Sequence, residues 1–157
     1  MRTIFFTVEG PILAWMRPGG KGAKRYDPDV QIAYKRMLGW YCKKAMTERG
    51  IHEPILGPIE LTVRASWPIL GERPGIVYRT AKPDLDNIIK GIQDALNKVA
   101  WRDDAQVVQY GVCCKVMDSA APKDGMLAIT IRSLPHGPAG AVQGDAVADG
   151  PEGESRA

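Results

Sequence analysis

The chain has 157 residues, 45% hydrophobic and 25% charged, with a formal net charge of +3, the make-up of one globular domain with a single core rather than of a disordered or fibrous protein. No apolar run approaches the roughly 20 residues that cross a bilayer, and the opening MRTIFFTVEG lacks the apolar core of a signal peptide, so a protein of the cytoplasm without membrane contact is expected. Three cysteines, of which Cys113 and Cys114 are adjacent, fit neither a disulfide framework nor a CxxC zinc spacing and read as reduced, packed thiols.

In chain order, residues 3–8 are β-branched and aromatic and predict a strand, and residues 12–16, after Gly10-Pro11, predict a second that closes a hairpin. MRPGGKGAKRYDP follows as a flexible basic loop carrying Arg17, Lys21, Lys24 and Arg25 among glycines. A helix is predicted from near Pro28, capped by Asp27 or Asp29, with Val30, Ala33, Tyr34, Met37, Leu38, Tyr41, Ala45 and Met46 on one face. Lys35, Arg36, Lys43 and Lys44 fall mainly off that face, as a solvated exterior or as phosphate contacts. Residues 58–67 alternate cleanly and predict a half-buried strand; a Pro and Gly containing loop with Arg73, Arg79 and Lys82 leads on from it.

Leu85, Ile88, Ile89, Ile92, Leu96 and Val99 predict a second helix from Asp84 to near Lys98, with Pro83 placed where its missing N–H does no harm. Residues 106–117 predict a strand with Tyr110, Val112, Cys114 and Val116 inward, and residues 126–132 the last strand. The order β-β-α-β-α-β-β implies an α+β fold, a mixed or antiparallel sheet with two main helices. Residues 1–133 then form the domain, and residues 134–157, rich in Pro, Gly and Ala, form a disordered tail. Asp145, Asp149, Glu152 and Glu154 against Arg156 give that tail −3, leaving +6 on the body from 20 basic and 14 acidic residues. Such a body permits a polyanionic ligand without demanding one.

The chemistry concentrates in KPDLDNIIKGIQDALNKVAWRDDAQVV, residues 82–108. Asp84 and Asp86 straddle the helix start, where backbone N–H groups favour negative charge. A lone Asp there is an ordinary N-cap, but the DxD pair and the later Asp103-Asp104 pair argue for ligands. The expectation is that the intervening loop returns the next strand beside the helix start, so that three carboxylates converge. Like charges so placed persist because a cation occupies the space between them. Oxygen-only donors favour Mg²⁺, with Mn²⁺ as a substitute, over zinc. Lys90, one turn after Asp86, either pairs with that carboxylate or reaches a phosphate. An EF-hand reading fails because its sixth and twelfth positions, Gly and Glu, are Ile89 and Ala95.

The joined pattern of DLDN, a Lys six residues after the first Asp, a DAL helix end and a DD-x-Q strand entry resembles the signature of the RusA family of Holliday-junction resolvases. The resemblance runs more loosely from about residue 3 to 132. It implies a small α+β homodimer with two symmetric Mg²⁺ sites that makes paired nicks across four-way DNA junctions in recombination and repair. Its metal carboxylates fall on Asp84, Asp86 and Asp104, and its functional lysine on Lys90. Asp103 is the competing neighbour, and since adjacent residues point to opposite sides, one of the two faces the metal. Arg17, Lys21, Lys24, Arg25, Arg73, Arg79 and Lys82 become candidates for DNA phosphates. The alternatives are a module that holds branched DNA without cutting it, and a domain in which the metal is purely structural.

Overall fold

The computed structural model describes residues 1–15, 29–71, 74–135 and 137. Its elements in order are β1 (Thr3–Glu9), α1 (Asp29–Thr47), β2 (Ile59–Pro68), β3 (Ile76–Tyr78), α2 (Leu85–Leu96), β4 (Val107–Tyr110), β5 (Cys114–Asp118) and β6 (Met126–Ser133). One mixed sheet runs β1-β6-β2-β5-β3, with β4 pairing β2 upstream of β5. The expected α+β architecture with two main helices is present.

β2 is the spine of the sheet. Its alternation buries Ile59, Leu61, Val63 and Ala65 completely, and β6, antiparallel to it, adds Leu127, Ile129 and Ile131 to the same core. Leu38 of α1 and Ile88, Ile92 and Leu96 of α2 close that core. At roughly 1.5–3 kcal/mol for each fully buried large aliphatic side chain, this layer supplies the main drive to fold. The alternate residues of the sheet are polar and tied across strands, Arg132 to Glu60 at 2.8 Å and Arg64 to Asp118 at 2.7 Å. Apolar alternating with polar is the pattern of a sheet covered on one face.

Four local expectations are corrected. Residues 11–15 form no strand: Pro11 offers no amide hydrogen, and the segment lies on α2, with Trp15 N donating to the Asn87 carbonyl at 2.8 Å. The loop after β2 contains the short edge strand β3. The single strand expected over residues 106–117 is broken, because β4 and β5 are separated at Gly111, where a Cβ would fall 2.1 Å from Thr62 Oγ1. The break turns Tyr110 and Val112 outward, 52% and 82% exposed, and leaves Val116 buried. Finally, α1 is rotated relative to its expected stripe: Val30 and Ala33 are exposed while Gln31 and Cys42 are buried. Gln31 tolerates the interior because its side-chain amide donates to the Ala14 carbonyl at 3.4 Å. The basic loop with Arg17, Lys21, Lys24 and Arg25, the position Arg73, and the tail beyond residue 137 lie outside the described residues.

Candidate functional site

Asp84 occupies the N-cap position of α2 with extended backbone angles (φ −73°, ψ 142°), yet its side chain makes no capping hydrogen bond. Asp86 lies in the first turn. Both are exposed, and neither carboxylate makes a hydrogen bond or ion pair with the described residues. The usual structural reason for an Asp at a helix entrance is therefore missing at Asp84. Two unpartnered carboxylates stand where the helix dipole favours negative charge.

The approach to Asp84 is held by side chains that sequence reading did not single out. Lys115 of β5 donates its ammonium to the carbonyls of Ala81 at 2.9 Å and Pro83 at 2.7 Å. Arg79 N donates to the Lys115 carbonyl at 3.0 Å, and the Arg79 guanidinium lies 4.6 Å over the Trp67 ring while donating to the Lys82 carbonyl at 2.9 Å. The strap from Arg79 to Pro83 is thus fastened to β5 on both sides. No spacing rule within a strand reveals Lys115, because its partners lie over thirty residues away in the chain. Of the two expected phosphate contacts on this strap, Arg79 is turned inward as part of the fastening and Lys82 is exposed.

Lys90 is exposed one turn beyond Asp86 and forms no ion pair with it; its ammonium sits 3.8 Å from the centroid of the Trp15 ring. The Trp15 backbone packs closely on Gly91, where a Cβ would sit 3.4 Å from Trp15 N. A cation over an indole face keeps its charge and its outward N–H groups, whereas a salt bridge would spend them on a carboxylate.

The second acidic pair is built differently. Asp103 caps a 3₁₀ turn over Asp104–Gln106: its carboxylate accepts from Ala105 N at 2.8 Å, and Gln106 Oε1 accepts from Asp103 N at 3.0 Å. The Gln106 amide also donates to the carbonyls of Ile55 and Gly57. Asp103 is thereby explained as a capping box. Asp104 is half-buried, with Oδ1 accepting from the indole N–H of fully buried Trp101 at 2.9 Å. Each oxygen of a carboxylate accepts more than one bond, so Asp104 keeps capacity for a ligand.

The two pairs do not converge within one chain. Trp101 bridges to Asn97 at the C-terminal end of α2, so Asp104 lies at the opposite end of the helix from Asp84 and Asp86. Twelve residues of α-helix measure about 18 Å. The sheet gives the same answer, since Gln106 is bonded to Gly57 ahead of β2 while Lys115, which fastens Pro83, pairs with Ala65 near its far end. Among the described residues no three His, Cys, Asp or Glu side chains come together as a cage for one ion. The expected return of the strand to the helix start is corrected: the loop after α2 turns beside the helix C-terminus, and β4 and β5 then run back along it, with Tyr110 donating to Gln93 at 3.0 Å. Burial raises the Cys113 thiol above its ordinary range and keeps it protonated, so it brings no thiolate to the region.

Comparison with known proteins places these features in a lineage. A family model described as "Endodeoxyribonuclease RusA" matches residues 10–132. The chain is 31% identical over 130 residues to "Uncharacterized protein YqaN" of Bacillus subtilis (strain 168), covering 71% of this chain and 87% of that protein. It is 28% identical over 92 residues to "Crossover junction endodeoxyribonuclease rusA" of Lactococcus phage r1t, covering 56% of this chain and 70% of the phage protein. The matched span contains α2, both acidic pairs and Lys90, and with it the chain belongs to the RusA endodeoxyribonuclease family.

Proposed function

We propose that the protein is a crossover junction endodeoxyribonuclease that resolves four-way DNA junctions in recombination and repair by paired phosphodiester hydrolysis, using Mg²⁺ or Mn²⁺ held by Asp84, Asp86 and Asp104. The observation that carries the reading is Asp84 at a helix entrance without a capping bond, beside an equally unpartnered Asp86 in a chain of this family. All the donors are carboxylate oxygens, which fits a hard cation. When bound, such an ion polarises a scissile phosphate and lowers the pKa of a coordinated water. Asp84 and Asp86 supply the ligands from a helix start that the Lys115 and Arg79 strap holds still. Lys90, steadied on Trp15, offers a positive charge to a phosphate next to the carboxylates. Lys82, the loop carrying Arg17, Lys21, Lys24 and Arg25, and Arg73 after β2 contribute contacts to the DNA backbone that position the junction without reading its sequence.

The length of α2 adds a condition. Asp104 joins Asp84 and Asp86 only if it comes from a second copy, so the homodimer in this reading builds two equivalent sites, each from the helix start of one protomer and the Trp101 loop of the other. A C2 pair generates two such sites together, as symmetric nicks require. A cleavage panel of four-way junction, fork, flap and linear duplex with Mg²⁺ and with Mn²⁺ tests the function. Paired nicks in the junction, abolished by EDTA and by Asp86→Asn while binding persists, are the expected result. Binding without cutting in either metal would instead assign a junction-holding module.

A further inference from the structure

Away from the α2 entrance, the outer side of α1 carries Arg36, Trp40, Lys43 and Lys44, with Arg36 and Lys44 four residues and Lys43 three residues from Trp40, so that all three flank the indole on the exposed side. Trp40 is 59% exposed, a large apolar ring left in water on a helix that had polar alternatives. Lys44 lies 5.6 Å from its centroid, and the neighbouring Tyr41 ring braces it edge-on at 5.0 Å. Beside the indole runs a groove of about 420 Å³ along the α1–α2 seam, lined by Lys35, Arg36, Gly39, Trp40, Lys43 and Val99 among others. The groove has Gly39 as part of its floor, packed on α2, where a Cβ would sit 3.6 Å from the Ala95 carbonyl. Its size falls within the roughly 300–1,000 Å³ of small-molecule sites.

The charge around it has one sign. Asp94 is held by Lys35 at 3.6 Å, whereas Arg36 and Lys43 have no ion-pair partner among the described residues. An inert lysine face needs no exposed indole at its centre, and a groove for an apolar ligand needs no ring of cations. Aromatic faces flanked by unpaired cations are the combination that binds single-stranded nucleic acid, with bases stacked on the ring and phosphates on the charges. We propose that this groove is a second DNA contact, in which an unpaired nucleotide stacks on Trp40 while its flanking phosphates lie on Arg36 and Lys43. α1 and α2 run side by side, and Gly39 lies level with Ala95, so the groove is about 14 Å from Asp86 along α2. At about 3.4 Å per nucleotide of stacked strand that is about four steps from the Asp84 and Asp86 end of the proposed cleavage centre. The site therefore holds strands splayed open near the crossover of a branched substrate, and in this it rests on the function proposed above.

The test uses the full chain with a synthetic four-way junction and an oligothymidine strand, titrated across a salt series without Mg²⁺, and 2-aminopurine placed at the crossover. Trp40→Ala is expected to weaken both complexes about tenfold, the effect of losing one stacked base, and to remove the fluorescence change at the crossover. Arg36→Gln with Lys43→Gln should lower the slope of log K against log salt by about 1.4 to 1.8, since each phosphate contact contributes about 0.7–0.9. Trp40→Phe should restore most of the binding. With Mg²⁺, these variants should raise KM on the junction and leave kcat at saturation near wild type. Unchanged affinity and salt slope overturn the proposal even if the wild type cuts normally, whereas lost binding in the variants of a protein that never cuts upholds this site and removes the nuclease reading. A dimer that becomes a monomer on Trp40→Ala would reassign the surface to contact between copies and overturn the proposal as well.

Discussion

At the scale of single residues, two aspartates with similar sequence surroundings have opposite duties. Asp103 is consumed by a capping box, with its carboxylate on Ala105 N and Gln106 folded back to its own amide. Asp84 holds a cap position and makes no such bond. Asp103→Ala should therefore cost about 0.5–2 kcal/mol of stability, while Asp84→Ala should stay within about 0.5 kcal/mol, read from urea midpoints at constant m. Their effects on junction cleavage should be reversed, with Asp84→Ala inactive and Asp103→Ala active below its melting temperature. Loss of stability in Asp84→Ala equal to that in Asp103→Ala would return Asp84 to a structural role.

At the scale of elements, the strap from Arg79 to Pro83 converts an irregular loop into a fixed lead-in for α2. A lysine ammonium on two backbone carbonyls is charge-assisted hydrogen bonding, about 1.5–3 kcal/mol when sheltered and about 1–2 kcal/mol here because Lys115 is partly exposed. Lys115→Met should keep the sheet, since Val116 beside it remains the buried residue of β5. It should lower kcat at least tenfold and speed amide exchange over residues 79–84 without changing exchange in β2. Uniform exchange across the chain would show that Lys115 supports the fold as a whole.

Local pattern made most elements legible. The clean alternation of residues 58–67 and the apolar stripe of Ile88, Ile92 and Leu96 describe β2 and α2 closely because burial dictates both patterns. Gly10-Pro11 misled by suggesting a hairpin, since the decisive contact, Trp15 N to the Asn87 carbonyl, joins residues more than seventy positions apart. At the break, Gly111 meets Thr62 of another strand so closely that no side chain fits there, a contact that local pattern does not show. For the site, the position of the DxD pair at a helix entrance was readable. The Lys90–Trp15 stack and the Lys115 fastening were not, because each depends on a tertiary neighbour and has no periodic signature.

At the scale of the whole molecule, the separation of the acidic pairs makes the subunit arrangement testable through activity. If each site takes Asp84 and Asp86 from one protomer and Asp104 from the other, a heterodimer of Asp86→Asn with Asp104→Asn concentrates both defects in one site and leaves the other intact. Mixing the two inactive variants, with exchange of subunits, should then restore single nicks at up to a quarter of the wild-type rate per dimer, a rough figure that assumes random pairing and independent sites. A mixture that stays inactive, although mass measurements show that heterodimers have formed, would confine each site to one chain.

α2 also acts as a rigid gauge between its two acidic termini. A strand or a flexible linker would absorb an inserted residue by bending, but one extra residue within this helix advances its far end by about 1.5 Å and swings it by about 100°. The Trp101 turn, seated on the core, would have to rotate with it. In the proposed dimer the register between neighbouring cleavage centres would follow from the residue count of this one helix, so a one-residue insertion or deletion would disturb it where a point change at an exposed position away from Asp86 and Lys90 would not.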